Sequence, residues 1–230
     1  MAKRHPGQRR LTQQKTESED DIFIAKVLEI GTWAKSHQQL LTIAIVLVVV
    51  AGASLVYYRN YRRGLVAQAG VQLEQIQQSV ALNDTEGAKN QLKVFLSRFG
   101  GTPYEGEARM LLGELYLEGG DPQQAQAVLE PIGNAPRSPL QLQAAGLLAR
   151  SYEQENRWKD AEDLYLRIAD RSDLDFQVQG ALADAARIRA SHGDKAGAEA
   201  LYKRILGDLE PDSPQRGLYE MRLAELTAET

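Results

Sequence analysis

The chain has no cysteine. Disulfides, thiol catalysis and cysteine-based metal sites are therefore excluded, and the composition is compatible with an oxidising compartment. Histidine is scarce too: His5 lies in the N-terminal tail, His37 beside a long apolar run, and His192 next to Gly193. None stands with serine and aspartate in an arrangement that suggests a triad, and no histidine or carboxylate spacing suggests a metal. Phosphate-binding glycine loops are missing, since Gly100-Gly101 and Gly119-Gly120 read as helix terminators. The many carboxylates fall at helix-surface spacings and read as solvated faces. Trp158 falls just inside a helix and reads as core rather than a ligand platform. These absences predict a protein that is not an enzyme, with no cofactor, no metal and no small-molecule substrate.

Charge is absent from a second place. Leu40 to Val56 (LLTIAIVLVVVAGASLV) is apolar or small throughout, and Ser36 to Tyr58 carries no charged residue. From Gln38 to Tyr58 a helix would span about 31 Å, close to the roughly 30 Å hydrocarbon core of a bilayer. Tyr57, Tyr58 and Tyr61 with Arg59, Arg62 and Arg63 follow as interfacial anchors. A buried core helix would keep a polar face. Ala51-Gly52-Ala53 resembles a signal cleavage site, but a secretory leader is short and basic in front, whereas Glu17, Glu19, Asp20 and Asp21 precede this run. The expected organisation is a polar tail over 1–19, an amphipathic juxtamembrane segment over 20–37, one transmembrane helix over 38–58, and a helical domain over 64–230.

The charge balance divides at the same boundary. Residues 1–63 hold 10 Lys/Arg and 5 Asp/Glu, leaving 17 and 26 for residues 64–230. An acidic domain is a poor nucleic-acid binder. The seven basic residues Lys3, Arg4, Arg9, Arg10, Lys15, Lys26 and Lys35 precede the apolar run, and only Arg59, Arg62 and Arg63 follow it before Lys89. The positive-inside rule then puts the N-terminus in the cytoplasm and the helical domain on the opposite side of the membrane. Within 20–37, Phe23, Val27, Ile30 and Ala34 share one helix face, widened by Ile24, Leu28 and Gly31. This segment reads either as a helix lying on the cytoplasmic leaflet or as a plain extension of the membrane helix.

Beyond Gly64 the pattern repeats. Ala88, Ala125, Ala161 and Ala198 are spaced 37, 36 and 37 residues apart. Leu92, Leu129, Tyr165 and Tyr202 follow each by four, and Phe95, Ile132, Ile168 and Ile205 by three more, so all lie on one helix face. Five residues before each alanine stands Asn83, Gly120, Asn156 or Gly193, the residue types that tolerate a left-handed conformation. Asp84, Asp121 and Asp194 follow as expected N-caps. Thr102-Pro103-Tyr104-Glu105 and Ser138-Pro139-Leu140-Gln141 read as capping boxes, and Ser213-Pro214 opens a last unpaired helix. Helix pairs at this period point to a solenoid. The predicted fold is all-α: one transmembrane helix, then about four helix pairs and a terminal helix.

The stretch LLGELYLEGGDPQQAQAVLEPI, Leu111 to Ile132, resembles a tetratricopeptide repeat at Gly113, Tyr116, Gly120 and Ala125. The third unit keeps Tyr152, Ala161 and Tyr165 with Ala149 for the glycine. The fourth keeps Gly193, Ala198 and Tyr202 with Arg189 for the tyrosine, and the first has Ile76 at the glycine position. That resemblance implies an inner face lined by the first helix of each pair: Met110, Glu114 and Leu117, then Gln143, Arg150 and Glu153, then Ala183 and Arg187. These are the candidate partner-binding residues. Family members that clamp an acidic carboxy-terminal peptide use Lys and Asn where Met110 and Glu114 stand, so that clamp is not expected. The whole layout is similar to the YfgM family, bacterial inner-membrane proteins described as ancillary subunits of the SecYEG translocon, which implies a bacterial inner-membrane location with the repeat domain in the periplasm. The resemblance implies translocon subunits, a membrane-anchored periplasmic chaperone and exported chains as partners, and an adaptor or chaperone role. A scaffold subunit of another envelope complex, in outer-membrane assembly or cell division, is the alternative.

Overall fold

The computed structural model describes residues 19–228, and the polar tail expected over 1–19 lies outside it except for Glu19. Among the described residues there are ten α-helices and no strands. The chain forms two units, residues 1–61 and residues 62–230.

In the first unit, α1 (Glu19–Ser36) is followed after His37 by α2 (Gln38–Ala81). The His37 N–H donates to the Trp33 carbonyl at 3.0 Å, and the His37 carbonyl accepts from the Leu41 N–H at 3.0 Å. Helical bonding thus passes through the junction between α1 and α2. The Trp33 and His37 rings stack across it at 4.8 Å. α2 is long and apolar enough to cross a membrane, and none of its apolar window is buried. It carries on through Gly64 without a break, so no loop separates the apolar run from the first repeat helix.

In the second unit the end of α2 supplies Ala69, Leu73 and Ile76 to the core. α3 (Thr85–Phe99) follows it, with Arg98 donating to the Gln68 side chain of α2 at 3.5 Å. Three helix pairs come next: α4 (Glu105–Glu118) with α5 (Pro122–Gly133), α6 (Pro139–Gln154) with α7 (Trp158–Arg171), and α8 (Asp175–Ser191) with α9 (Lys195–Asp208). The terminal helix α10 (Arg216–Ala228) packs on α9. From α3 onward each helix packs on the next in sequence, so the core is built from neighbour contacts, as in a solenoid. Ala88, Ala125, Ala161 and Ala198 are all fully buried, as the register requires.

The turns show why the pairs form. Asn83, Gly120, Asn156 and Gly193 all have positive φ, at 61°, 76°, 59° and 88°. The left-handed residue reverses the chain and ends the first helix. Asp84 and Asp194 then accept from the Gly87 and Gly197 N–H groups at 3.0 and 2.8 Å. Asp121 occupies the same position but makes no side-chain cap bond. The two working caps have glycine at the third helical position, where an added Cβ would meet the aspartate carboxylate; in α5 that position is Gln124.

Two expected helix starts also shift. α4 begins at Glu105, and the Thr102 hydroxyl donates to the Phe99 carbonyl instead of capping. Glu105 reaches back to the Gly101 N–H at 2.7 Å. α10 begins at Arg216, after a turn in which the Arg216 N–H donates to the Ser213 carbonyl. At α6 the start holds: Ser138 accepts from the Gln141 N–H, while the Gln141 side chain reaches one residue further back, to the Arg137 N–H.

Candidate functional site

The eight inner-face candidates fall into three groups. Glu114, Gln143 and Arg150 are exposed, and Met110 is half-buried against the core. Leu117 is only 5% exposed and belongs to the core, so it leaves the set of accessible positions. Its place on α4 faces the neighbouring helices, and its carbonyl accepts from Gln154 of α6 at 3.5 Å. Glu153, Ala183 and Arg187 come together with residues that the repeat pattern had placed only as packing.

Their centre is an ion pair between α6 and α8. The Arg187 guanidinium donates Nη1–H to Glu153 Oε2 at 2.8 Å and Nη2–H to Glu153 Oε1 at 2.9 Å. This two-pronged geometry fixes orientation as well as charge. The Tyr165 hydroxyl, from α7, donates to Glu153 Oε1 at 2.8 Å. Asp184, one turn before Arg187, accepts from its Nη2 at 3.2 Å. Glu153 is 14% exposed at its side chain and Arg187 53%, so the carboxylate is set into the fold with the cation above it.

The electrostatics follow from that placement. The hydrogen bond to Glu153 is the main cause holding the Arg187 pKa above its ordinary value. Burial pushes the Tyr165 phenol up, and the charges of Asp184 and Glu153 add to this. Burial also pushes the Asp184 carboxyl up, against the opposing pull of Arg187 and, more weakly, of Arg150. One cation, Arg187, is thus shared by two carboxylates, Glu153 and Asp184.

Beside it lies a cleft of about 480 Å³ between α8, α9 and α10, which Ala183 and Arg187 line together with Asp184, Tyr202 and Tyr219. The sequence reading missed Asp184, Tyr219 and the part played by α10. One signal was present: Tyr165 and Tyr202 stand where the first two repeats have Leu92 and Leu129, so a hydroxyl enters an otherwise apolar position. Trp158 is half-buried at the edge of the core, with its ring centroid 4.8 Å from that of His192. Among the described residues no group of three or more His, Cys, Asp or Glu is placed to hold a metal.

A tetratricopeptide repeat-like domain family matches residues 32–228, a range that takes in the apolar run as well as the repeats. Two solved structures share the fold. One is a protein of nearly identical TPR-like repeats from Podosopora anserina, named as a putative kinesin light chain, at 17% identity and a TM-score of 0.58 over 71% of this chain and 87% of the other. The other is a variant of that protein with one glutamine replaced by methionine, at 17% identity and a TM-score of 0.58 over 71% and 86%. At this identity the likeness speaks for the fold alone. No curated protein matches the chain in sequence. Repeats of this kind indicate a protein-interaction module, and the chain belongs to the tetratricopeptide repeat-like domain family.

Proposed function

We propose that the chain is a membrane-anchored, non-enzymatic interaction module that serves as a translocon-associated adaptor or chaperone for exported proteins, with its repeats on the periplasmic side of a bacterial inner membrane. One observation carries the anchoring. The apolar, uncharged part of α2 has no buried residue against the rest of the described protein, yet the same helix continues into the repeat core. An unburied apolar helix of this length needs an apolar surrounding, and a bilayer supplies one. Anchoring also confines the repeats to the membrane plane, which raises their effective concentration at a neighbouring complex. The excess of basic residues before the apolar run supports an N-terminus in the cytoplasm. The similarity to the YfgM family supports the translocon as the neighbour.

The test is photocrosslinking in native membranes, from a photoreactive residue placed at Met110, Arg150 or Arg187, with a periplasm-active reporter fused after Thr230. Adducts with translocon subunits, a periplasmic chaperone or exported chains, together with an active reporter, are expected. Adducts confined to another envelope complex would move the assignment to the scaffold alternative, and a silent reporter would overturn the topology.

A further inference from the structure

The cleft between α8, α9 and α10 has a chemistry that the inner-face pattern did not anticipate. Its charged lining balances, with Asp184 and Glu225 against Arg187 and Arg222. Each cation is paired with one of these anions: Arg187 with Asp184 at 3.2 Å and Arg222 with Glu225 at 3.1 Å. Arg187 is also engaged by Glu153. A charged ligand would have to break one of these pairs to gain a partner. An uncharged ligand leaves them intact.

Apart from Ser191, the remaining lining is apolar or aromatic. Ala183 and Ala190 keep the α8 wall low, and Leu218 projects from α10 half exposed. Tyr202 and Tyr219 face one another with ring centroids 6.4 Å apart. Tyrosine offers a flat apolar face with a hydroxyl at its edge, which suits an apolar side chain flanked by peptide groups. The volume lies within the range of about 300–1,000 Å³ typical of ligand clefts, enough for a side chain and its neighbouring backbone.

We propose that this cleft receives a short, uncharged, apolar segment of a polypeptide, with an aromatic or branched aliphatic side chain seated against Tyr202, Tyr219 and Leu218. The proposal rests on the protein-interaction reading and specifies its ligand: an apolar stretch of another chain, in place of an acidic carboxy-terminus.

The experiment uses the full-length protein in lipid nanodiscs and soluble fluorescent peptides of glycine, serine and asparagine. The peptides carry a central Phe-Leu, Asp-Glu or Lys-Arg pair, and binding is read by anisotropy. The Phe-Leu peptide should bind at least about tenfold more tightly than either charged one. Leu218→Asp and Ala190→Trp should each weaken it by about tenfold or more, with Gln123→Ala, at an exposed position of α5, as the control at wild-type affinity. Leu218 is half exposed, so its substitution leaves the core intact, and an unchanged thermal melt verifies this. Equal or tighter binding of a charged peptide overturns the proposal, and so does wild-type affinity in both cleft variants. A full-length dimer that Leu218→Asp converts to monomer overturns it too, in favour of a second copy as the occupant. If apolar peptides fail to bind while crosslinks from Met110 and Arg150 still reach proteins, the cleft assignment fails and the interaction reading stands. If those crosslinks are also absent, the interaction reading fails with it.

Discussion

Replacing Ala161 with phenylalanine tests the repeat register directly. Ala161 is 0% exposed on the face of α7 that also buries Leu164, Tyr165 and Ile168. A ring placed there has no solvent to turn towards and must displace a packed neighbour. Overpacking of this kind costs about 1–3 kcal/mol, and a whole ring belongs near the upper end. For a domain of this size each kcal/mol lowers the melting temperature by about 2–4 °C, so Ala161→Phe should lower it by about 6–12 °C. The control is the same substitution at Ala127, which sits exposed on α5 one repeat earlier. Ala127→Phe and Arg150→Ala, both on exposed positions, should stay within about 0.5 kcal/mol of wild type. The assay is thermal denaturation of the full-length protein in detergent, followed by far-UV circular dichroism. Ala125→Phe should repeat the Ala161 result, because Ala125 is the equivalent, fully buried position. Equal shifts at Ala161 and Ala127 would show that the alanine period does not mark helix contacts, and the register argument would be wrong.

At the turn between α6 and α7, Asn156 has φ 59°, so Asn156→Gly should leave the urea midpoint close to wild type, whereas Asn156→Val forces a β-branched side chain into a left-handed backbone and should cost about 1–2 kcal/mol. A midpoint for Asn156→Val equal to wild type would contradict the turn geometry. In the ion-pair cluster, the Asp184 carboxyl is raised by burial, so its charged form opposes folding above its raised pKa and protonation relieves that opposition as the pH falls. Asp184→Asn should therefore keep or raise stability at neutral pH, and its advantage over wild type should shrink on acidification. An advantage that grows towards acid pH would reverse the sign.

Glu105 illustrates both what was readable in the sequence and what was not. Its spacing from Thr102 suggested a capping box, and the helix does use Glu105 at its start. The bond goes to the Gly101 N–H, however, and Thr102 turns to the Phe99 carbonyl. The preceding turn, with Gly101 at φ 74°, moved the donor by one residue, and residue types at fixed offsets do not encode that shift. At Asp121 the expected side-chain cap is likewise not made, although the residue stands at the start of α5 as its spacing required. The turn residues Asn83, Gly120, Asn156 and Gly193 were legible because a left-handed φ is a property of a single residue. The candidate site was legible only in part. Arg187 and Glu153 lie 34 residues apart, and no periodicity within one helix shows that one would bind the other.

The apolar run, the helix pairs, their period and the reversals between them were all settled by the order of residues. Each depends on side-chain spacing along a single helix or on the backbone freedom of one residue. Which inner-face candidates stay accessible was settled by packing between helices. Leu117 and Glu153 sat in the same expected stripe, yet the packing of α4 buried the first while the arrival of α8 gave the second a cation. Packing also made α10 close a balanced, tyrosine-lined cleft against α8 and α9. The seven residues between α9 and α10, 209–215, follow no repeat. Where that last helix settles is therefore set by contacts among three helices and cannot be extrapolated from the period.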